Sequence, residues 1–301
     1  MNRLQADLLL LVASVIWGTT FVAQKIANDH IGPIAFVAAR FAVATVFLAP
    51  AAIWETRRHL RTGNALPRRD LLHGLGIALC LCTATCAQQI GLVTTTATHA
   101  GFLTAAYIAF VPFLTWAVAR ARPRPPVLLA CAIALYGAWL LAGSGTRLSA
   151  AGWNRGDAII LGSDLVWALH VTLVGHWRGI AARPFLLSWM QCAAAAAVAI
   201  VAAWIGQPAS WDALRPILPE IAYAGVLSSG VAFTLQIVAQ RHTPAAEAAL
   251  VMSLESVFAA AAGAVMLGDT LTRAASFGAI LILIGAVLVE IGPLLRLRAT
   301  R

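Results

Sequence analysis

Charge is scarce in this chain of 301 residues: Asp, Glu, Lys and Arg make up 11% of it, 60% is hydrophobic, and mean hydropathy is +0.83. Soluble domains carry about 25% charged residues, so a water-soluble globular fold is excluded. Long polar stretches are also missing. The longest run between apolar blocks, 55–70, is too short for a sensor or scaffold domain. Cysteine is limited to Cys80, Cys82, Cys86, Cys131 and Cys192, all inside apolar stretches, so no disulfide framework or oxidising compartment is implied. In a helix Cys80 and Cys82 point about 200° apart, which assembles no tetrahedral site, and neither metal nor other cofactor is expected. His-Glu-x-x-His, Gly-x-Ser-x-Gly, paired Asp-rich and Gly-x-x-x-x-Gly-Lys runs are absent too. That removes support for a membrane-embedded enzyme and for a chain that hydrolyses ATP itself, and no catalytic residue is expected.

Apolar length is abundant. A helical span needs about 20 apolar residues, and uncharged runs occur at roughly 8–27, 33–54, 71–91, 97–119, 127–143, 157–177, 184–205, 219–239, 245–267 and 274–292. These runs lack period-2 alternation, so they read as helices and not as barrel strands. The expected fold is an all-α integral membrane protein with ten transmembrane helices. The first block ends in Gln24 and Lys25 without a small-residue cleavage pattern and is expected to be retained.

The excess of 21 basic over 12 acidic residues would prompt a search for nucleic-acid surfaces in a soluble protein, but here the charges lie between apolar blocks and report orientation. Fifteen basic residues fall in the set formed by Arg3, the 55–70 loop, the 120–126 loop, Arg178, Arg183, Arg241 and the tail. Five fall in the alternate set of Lys25, Arg147, Arg155, Arg215 and Arg273, and Arg40 is left inside a span. Both termini are therefore expected in the cytoplasm, with the lipid bilayer and no nucleic acid as partner. Nothing in the sequence demands more than a monomer.

The chain also matches itself. Trp17 falls on Trp167, Pro33 to Arg40 on Pro184 to Gln191, and Leu135, Gly137 and Ala138 on Leu283, Gly285 and Ala286. The expected halves are 1–146 and 147–301, each with five spans. An odd number forces the second half to enter from the other side, giving an inverted repeat. That build recurs in secondary transporters, with the substrate site between the halves at mid-membrane.

Specific runs carry a family resemblance. Ser14-Val15-Ile16-Trp17-Gly18-Thr19-Thr20-Phe21, Gln88-Gln89-Ile90-Gly91-Leu92 leading to His99-Ala100-Gly101-Phe102-Leu103-Thr104 and Val111-Pro112, Gly156-Asp157 with Val166-Trp167-Ala168-Leu169-His170, and Ser253-Leu254-Glu255-Ser256-Val257-Phe258 before Gly268-Asp269 resemble the EamA family of the drug/metabolite transporter superfamily. The resemblance covers essentially the whole chain. It implies a bacterial inner-membrane exporter of amino acids or related metabolites; a multidrug or other metabolite carrier of the same superfamily is the alternative. The family usually shows Pro and Glu where this chain has Ser256 and Asp269.

Ionisable groups within spans cost about 2.5–3.5 kcal/mol each to insert and so face a cavity or a partner. Arg40 can snorkel outward, or hold a substrate carboxylate through two parallel hydrogen bonds. Glu255 reads as a structural acid between helices or as a proton-linked group. Asp164, where the resembling families carry a small residue, can accept a substrate ammonium or pair across the bundle. His99 and His170 can carry protons or rest neutral on neighbouring helices. Trp17, Trp167 and Tyr107 lie at mid-span instead of at the interfaces, which argues for an inward face. Thr20 and Gln24 share the Trp17 face, and Ser229 and Gln236 are candidate orienting groups, so the expected cavity suits aromatic or apolar amino acids.

Overall fold

The computed structural model describes residues 1–143, 154–206, 208–270 and 272–299, with side chains of 142–143 and 289–299 left out. The expected boundary at 146/147, Arg147 and the side chains of the basic tail lie outside the described residues. Among the described residues every regular element is helical. The rods are α1 (Arg3–Asn28), α2 (Pro33–Arg61), α3 (Arg68–Gly91), α4 (Ala97–Ala119), α5 (Pro125–Gly143), α6 (Arg155–His176), α7 (Pro184–Gly206), α8 (Trp211–Gln240), α9 (Ala245–Met266) and α10 (Arg273–Ala299). Eight of them are long and apolar enough to cross a membrane, and α5 and α10 carry shorter apolar stretches.

Local chemistry sets the helix starts. Asn2 caps α1: its side chain accepts the Gln5 N–H at 2.9 Å, and the Gln5 side chain accepts the Asn2 N–H at 3.0 Å. Asn154 and Asp157 build the same reciprocal box at α6, at 3.0 and 3.1 Å. Pro33 opens α2, where a missing N–H costs nothing. The outer surface is apolar: Val265 is 86% exposed, Trp204 80% and Ile205 78%. Water would oppose such a surface, and hydrocarbon accepts it.

The main packing pairs are α2 with α7, α5 with α10, α3 with α6, α1 with α8, α1 with α9, and α4 with α6. Advancing every label by five leaves this set unchanged: the first two pairs map onto themselves, α3–α6 onto α8–α1, and α1–α9 onto α6–α4. The pattern of buried, half-buried and exposed residues over 6–25 also recurs position for position over 156–175. Small residues permit the closest approaches. A Cβ on Gly18 would stand 2.5 Å from the Phe258 Cβ and 2.6 Å from the Glu255 carbonyl, so α1 and α9 touch backbone to backbone.

Different chemistry ties the two ends. At the end holding the N-terminus, Arg3 pairs with Glu247 at 2.6 Å, Thr243 donates to Asp7 at 2.7 Å, and Arg183 donates to the carbonyls of Asn64 and Ala65 at 2.7 and 3.2 Å. At the other end Lys25 reaches the carbonyls of Leu92 and Val93 at 3.3 and 3.1 Å, Gln89 donates to Asn28 at 2.9 Å, and Thr98 donates to Asp269 at 2.6 Å.

Candidate functional site

Three helices lose regular geometry midway along their length. In α4 the ladder tightens at Ala106, whose N–H bonds the Leu103 carbonyl while its own carbonyl accepts from Ala109. In α9 the same i→i+3 tightening falls at Ser253 and Leu254. The Leu250 carbonyl is taken by the Ser253 hydroxyl at 2.8 Å, and the Ser253 carbonyl accepts both the Ser256 N–H at 3.1 Å and the Ser256 hydroxyl at 2.8 Å. Ser256 thus sustains by back-bonding a break that a proline would make by lacking its N–H. In α8 the turn widens over Tyr223–Ala232 to a π-helix, a form concentrated at functional sites.

These irregular segments border a central, partly open cavity with about 540 Å³ free of protein atoms, the open space at its mouth included. Its walls are Trp17, Thr20, Phe21 and Gln24 of α1, Arg40 of α2, Gln88 of α3, Thr104 and Tyr107 of α4, Trp167 and Val171 of α6, Ser228, Phe233 and Gln236 of α8, and Met252 and Glu255 of α9. Tyr107 and Glu255 are the first residues after the breaks in α4 and α9, so each break aims one polar side chain inward. The Phe233 ring lies between two tryptophans, 5.1 Å from Trp17 and stacked at 6.0 Å on Trp167. Trp17 Nε1 donates to the Ser228 carbonyl at 3.2 Å, which fixes α1 against the wide turn of α8.

The cavity holds polar atoms that the chain itself does not satisfy. Arg40 is 5% exposed, lies 4.9 Å from the Phe41 ring centre and 5.8 Å from that of Phe36, and makes no ion pair among the described residues. Its neighbouring ionisable groups are the thiols of Cys86 and Cys192. Arg40 Nε, Gln24 Oε1, Trp167 Nε1 and Gln236 Oε1 are buried without a partner. An unpaired buried donor or acceptor costs about 1–3 kcal/mol, and more when charged, a cost that a polar molecule bonding these atoms would offset.

Of the residues singled out from sequence, Trp17, Thr20, Gln24, Arg40, Tyr107, Trp167, Gln236 and Glu255 line this cavity. Four others do not. His170 is locked to Gln191 by a 2.5 Å hydrogen bond and stands edge-on behind Trp167 and Phe233. Ser229 turns to the far side of the wide turn, where its carbonyl accepts the Cys192 thiol at 3.6 Å, and Ser228 lines the cavity instead. His99 sits half-buried in the first turn of α4, its ring 5.9 Å from Phe102. Asp164 is fully buried, neither oxygen has a partner, and it lies near Glu255 and Tyr107 behind the wall. Phe233 and Gln88 went unnoticed as lining groups. Their signals were available: an aromatic ring at mid-span, and the paired amides of Gln88-Gln89.

A bundle with an apolar exterior and a polar, partly unsatisfied interior chamber defines a multi-pass membrane protein built around a small-molecule site. The profile of the EamA-like transporter family matches residues 4–143 and again 154–291. The chain belongs to that family, within the drug/metabolite transporter superfamily. It is 28% identical over 290 residues to an uncharacterized transporter of Archaeoglobus fulgidus, covering 96% of this chain and 87% of that one. It is 26% identical over 299 residues to the uncharacterized transporter YwfM of Bacillus subtilis, covering 95% and 94%. A third relative, the threonine/homoserine exporter RhtA of Salmonella typhimurium, is 31% identical over 159 residues, 52% of each chain. One crystal structure superposes with a TM-score of 0.76 at 17% identity, covering 96% of this chain and 98% of its own, and shares the fold.

Proposed function

We propose that this transporter exports zwitterionic amino acids, aromatic or apolar ones favoured, across the bacterial inner membrane by alternating access. The observation that carries the reading is a cavity holding one unpaired guanidinium, Arg40, and one carboxylate, Glu255, beside the wall of Trp17, Phe233 and Trp167. Arg40 takes the substrate carboxylate in a bidentate grip, and Glu255 takes the ammonium. The rings take an apolar side chain. Asp164, behind the wall, is not given the ammonium. The likeness to RhtA, a threonine/homoserine exporter, supports export of an amino acid.

Alternating access follows from ten spans in two inverted repeats, 1–146 and 147–301. The exchange of packing pairs under a five-helix shift supports this arrangement, and the fifteen-to-five bias of basic residues supports cytoplasmic termini. A reporter active only in the cytoplasm should work when fused at Gly63 and fail at Gly268. The reverse pattern removes the orientation.

The decisive experiment is purified protein in liposomes challenged with labelled amino acids, with and without a pH gradient. Saturable flux of phenylalanine or leucine that is lost on esterifying the carboxylate is expected. Flux of apolar drugs with none of any amino acid transfers the reading to a multidrug carrier.

A further inference from the structure

The molecule has a second large concavity, which the export reading does not use. It lies at the N-terminal end of the bundle, where α2 finishes, α7 begins and α8 finishes, and is a half-open basin with about 1040 Å³ free of protein atoms, the open space at its mouth included. Trp54, Arg58, His59, Phe185 and Arg241 face it, together with Glu55.

Charge there is unbalanced. Glu55, 7% exposed, accepts the Leu186 N–H at 2.8 Å and so caps the first turn of α7. Arg183 is engaged in turn, since its guanidinium holds the Asn64 and Ala65 carbonyls and fixes the loop that floors the basin. Arg58 and Arg241 remain. They come from different helix ends, and neither has a carboxylate within ion-pair distance among the described residues. Two exposed guanidinium forks that line one basin supply donors of the kind that hold the oxygens of a phosphate.

The rim is apolar on the side facing away from the bundle axis. Trp54 is 56% exposed with Arg58 lying 5.6 Å from its ring centre, and Phe47, seven residues earlier on the same face of α2, is 45% exposed. A tryptophan at a helix end marks the level of lipid headgroups. An apolar strip running down from a phosphate-sized basic basin matches acyl chains, whereas a free anion would make no use of it.

We propose that this basin binds the headgroup phosphate of an anionic phospholipid, through Arg58 and Arg241, with the acyl chains lying along α2. Basic pockets between transmembrane helices hold acidic headgroups in this way.

The test is native mass spectrometry of the full chain in mild detergent, titrated with phosphatidylglycerol or phosphatidylcholine of identical acyl chains, with and without excess inorganic phosphate. One retained phosphatidylglycerol is expected, preferred over phosphatidylcholine and not displaced by phosphate. Arg58→Ala with Arg241→Ala should weaken it roughly thirty-fold, and Arg241→Gln alone, which leaves α2 untouched, roughly five-fold. Arg215→Ala, at the opposite end, should change nothing. Equal retention of the two lipids, displacement by phosphate, or unchanged affinity in Arg241→Gln overturns the assignment. Transport of amino acids is a separate readout, and neither result decides the other.

Discussion

Helices α1, α2 and α4 and their counterparts α6, α7 and α9 bury corresponding positions yet bring different chemistry to the cavity. Trp17 and Trp167 match and both line it. Arg40 corresponds to Gln191, and while Arg40 stands unpaired in the cavity, Gln191 is tied to His170 outside it. Ser14 corresponds to Asp164: the hydroxyl bonds the carbonyls of Leu10 and Val251 at 2.8 and 3.2 Å, whereas the carboxylate has no partner. Tyr107 and Glu255 occupy the same place after the two helix breaks. Packing holds the two matched segments to one burial pattern, since every helix must fit its neighbours. Charge is under no such constraint, and it is where the two diverge that a guest with distinct ends can be told apart.

The largest expected effect tests the packing side of this comparison. Gly18 corresponds to Ala168, so one half accepts a Cβ where the other does not. Gly18→Leu should abolish recovery of folded protein by size-exclusion chromatography, because a backbone carbonyl and not a flexible side chain blocks the added atoms. Ala168→Gly should be recovered at nearly the parental yield. Equal losses would show that the α1–α9 approach has no special tightness.

Next comes the charge. Arg40→Gln gives the first half the residue of the second and should weaken substrate binding roughly ten- to a hundred-fold, as expected for a lost charge-assisted bond of about 1.5–3 kcal/mol. Gln191→Ala, outside the cavity, should change it far less. Binding to the purified protein by isothermal calorimetry separates the two, and matching losses would deny Arg40 a direct role.

The acids should then split. Glu255→Gln is expected to lower affinity for amino acids while sparing analogues that lack the ammonium. Asp164→Ser, which installs the residue of the first half, should leave transport intact and raise the melting temperature by about 2 °C or more, because it removes an unsatisfied buried carboxylate. Lost transport at an unchanged melting temperature would return Asp164 to the substrate path.

The smallest effect concerns the rings. Trp17→Ala and Trp167→Ala should each cost about 0.5–1.5 kcal/mol of stacking, roughly a two- to twelve-fold loss of affinity for phenylalanine. Threonine should lose less. Trp17→Ala is expected to be the more severe because it also breaks the bond to the Ser228 carbonyl. Competition assays with the two substrates in proteoliposomes would expose equal losses, which belong to a structural role.

Much of this architecture was legible before any coordinate. The all-helical build and the place of each apolar rod follow from composition and spacing, because a bilayer leaves a helix of fixed length as the cheapest way to satisfy the backbone, whereas the helix ends run up to eight residues beyond the apolar blocks, as in Pro33–Arg61 and Trp211–Gln240. Mid-span depth also pointed Trp17, Tyr107 and Trp167 inward, whereas Arg40 was left open between snorkelling outward and facing the cavity, where the structure places it. What the sequence left open was rotation. Lipid is as apolar as a packed helix interface, so these helices are apolar all round and carry no stripe that marks an inner face. Asp164 and Glu255 therefore looked alike as buried acids, and only the packing of α6 and the break in α9 put Glu255 in the wall and Asp164 behind it. His170 and Gln191 are 21 residues apart on separate helices, so their bond, which takes both from the cavity, exists only once α6 and α7 are docked. Length and hydrophobicity are properties of a segment and can be read along it, whereas which side chains meet depends on the angle at which each helix sets against its neighbours, and that is decided in three dimensions.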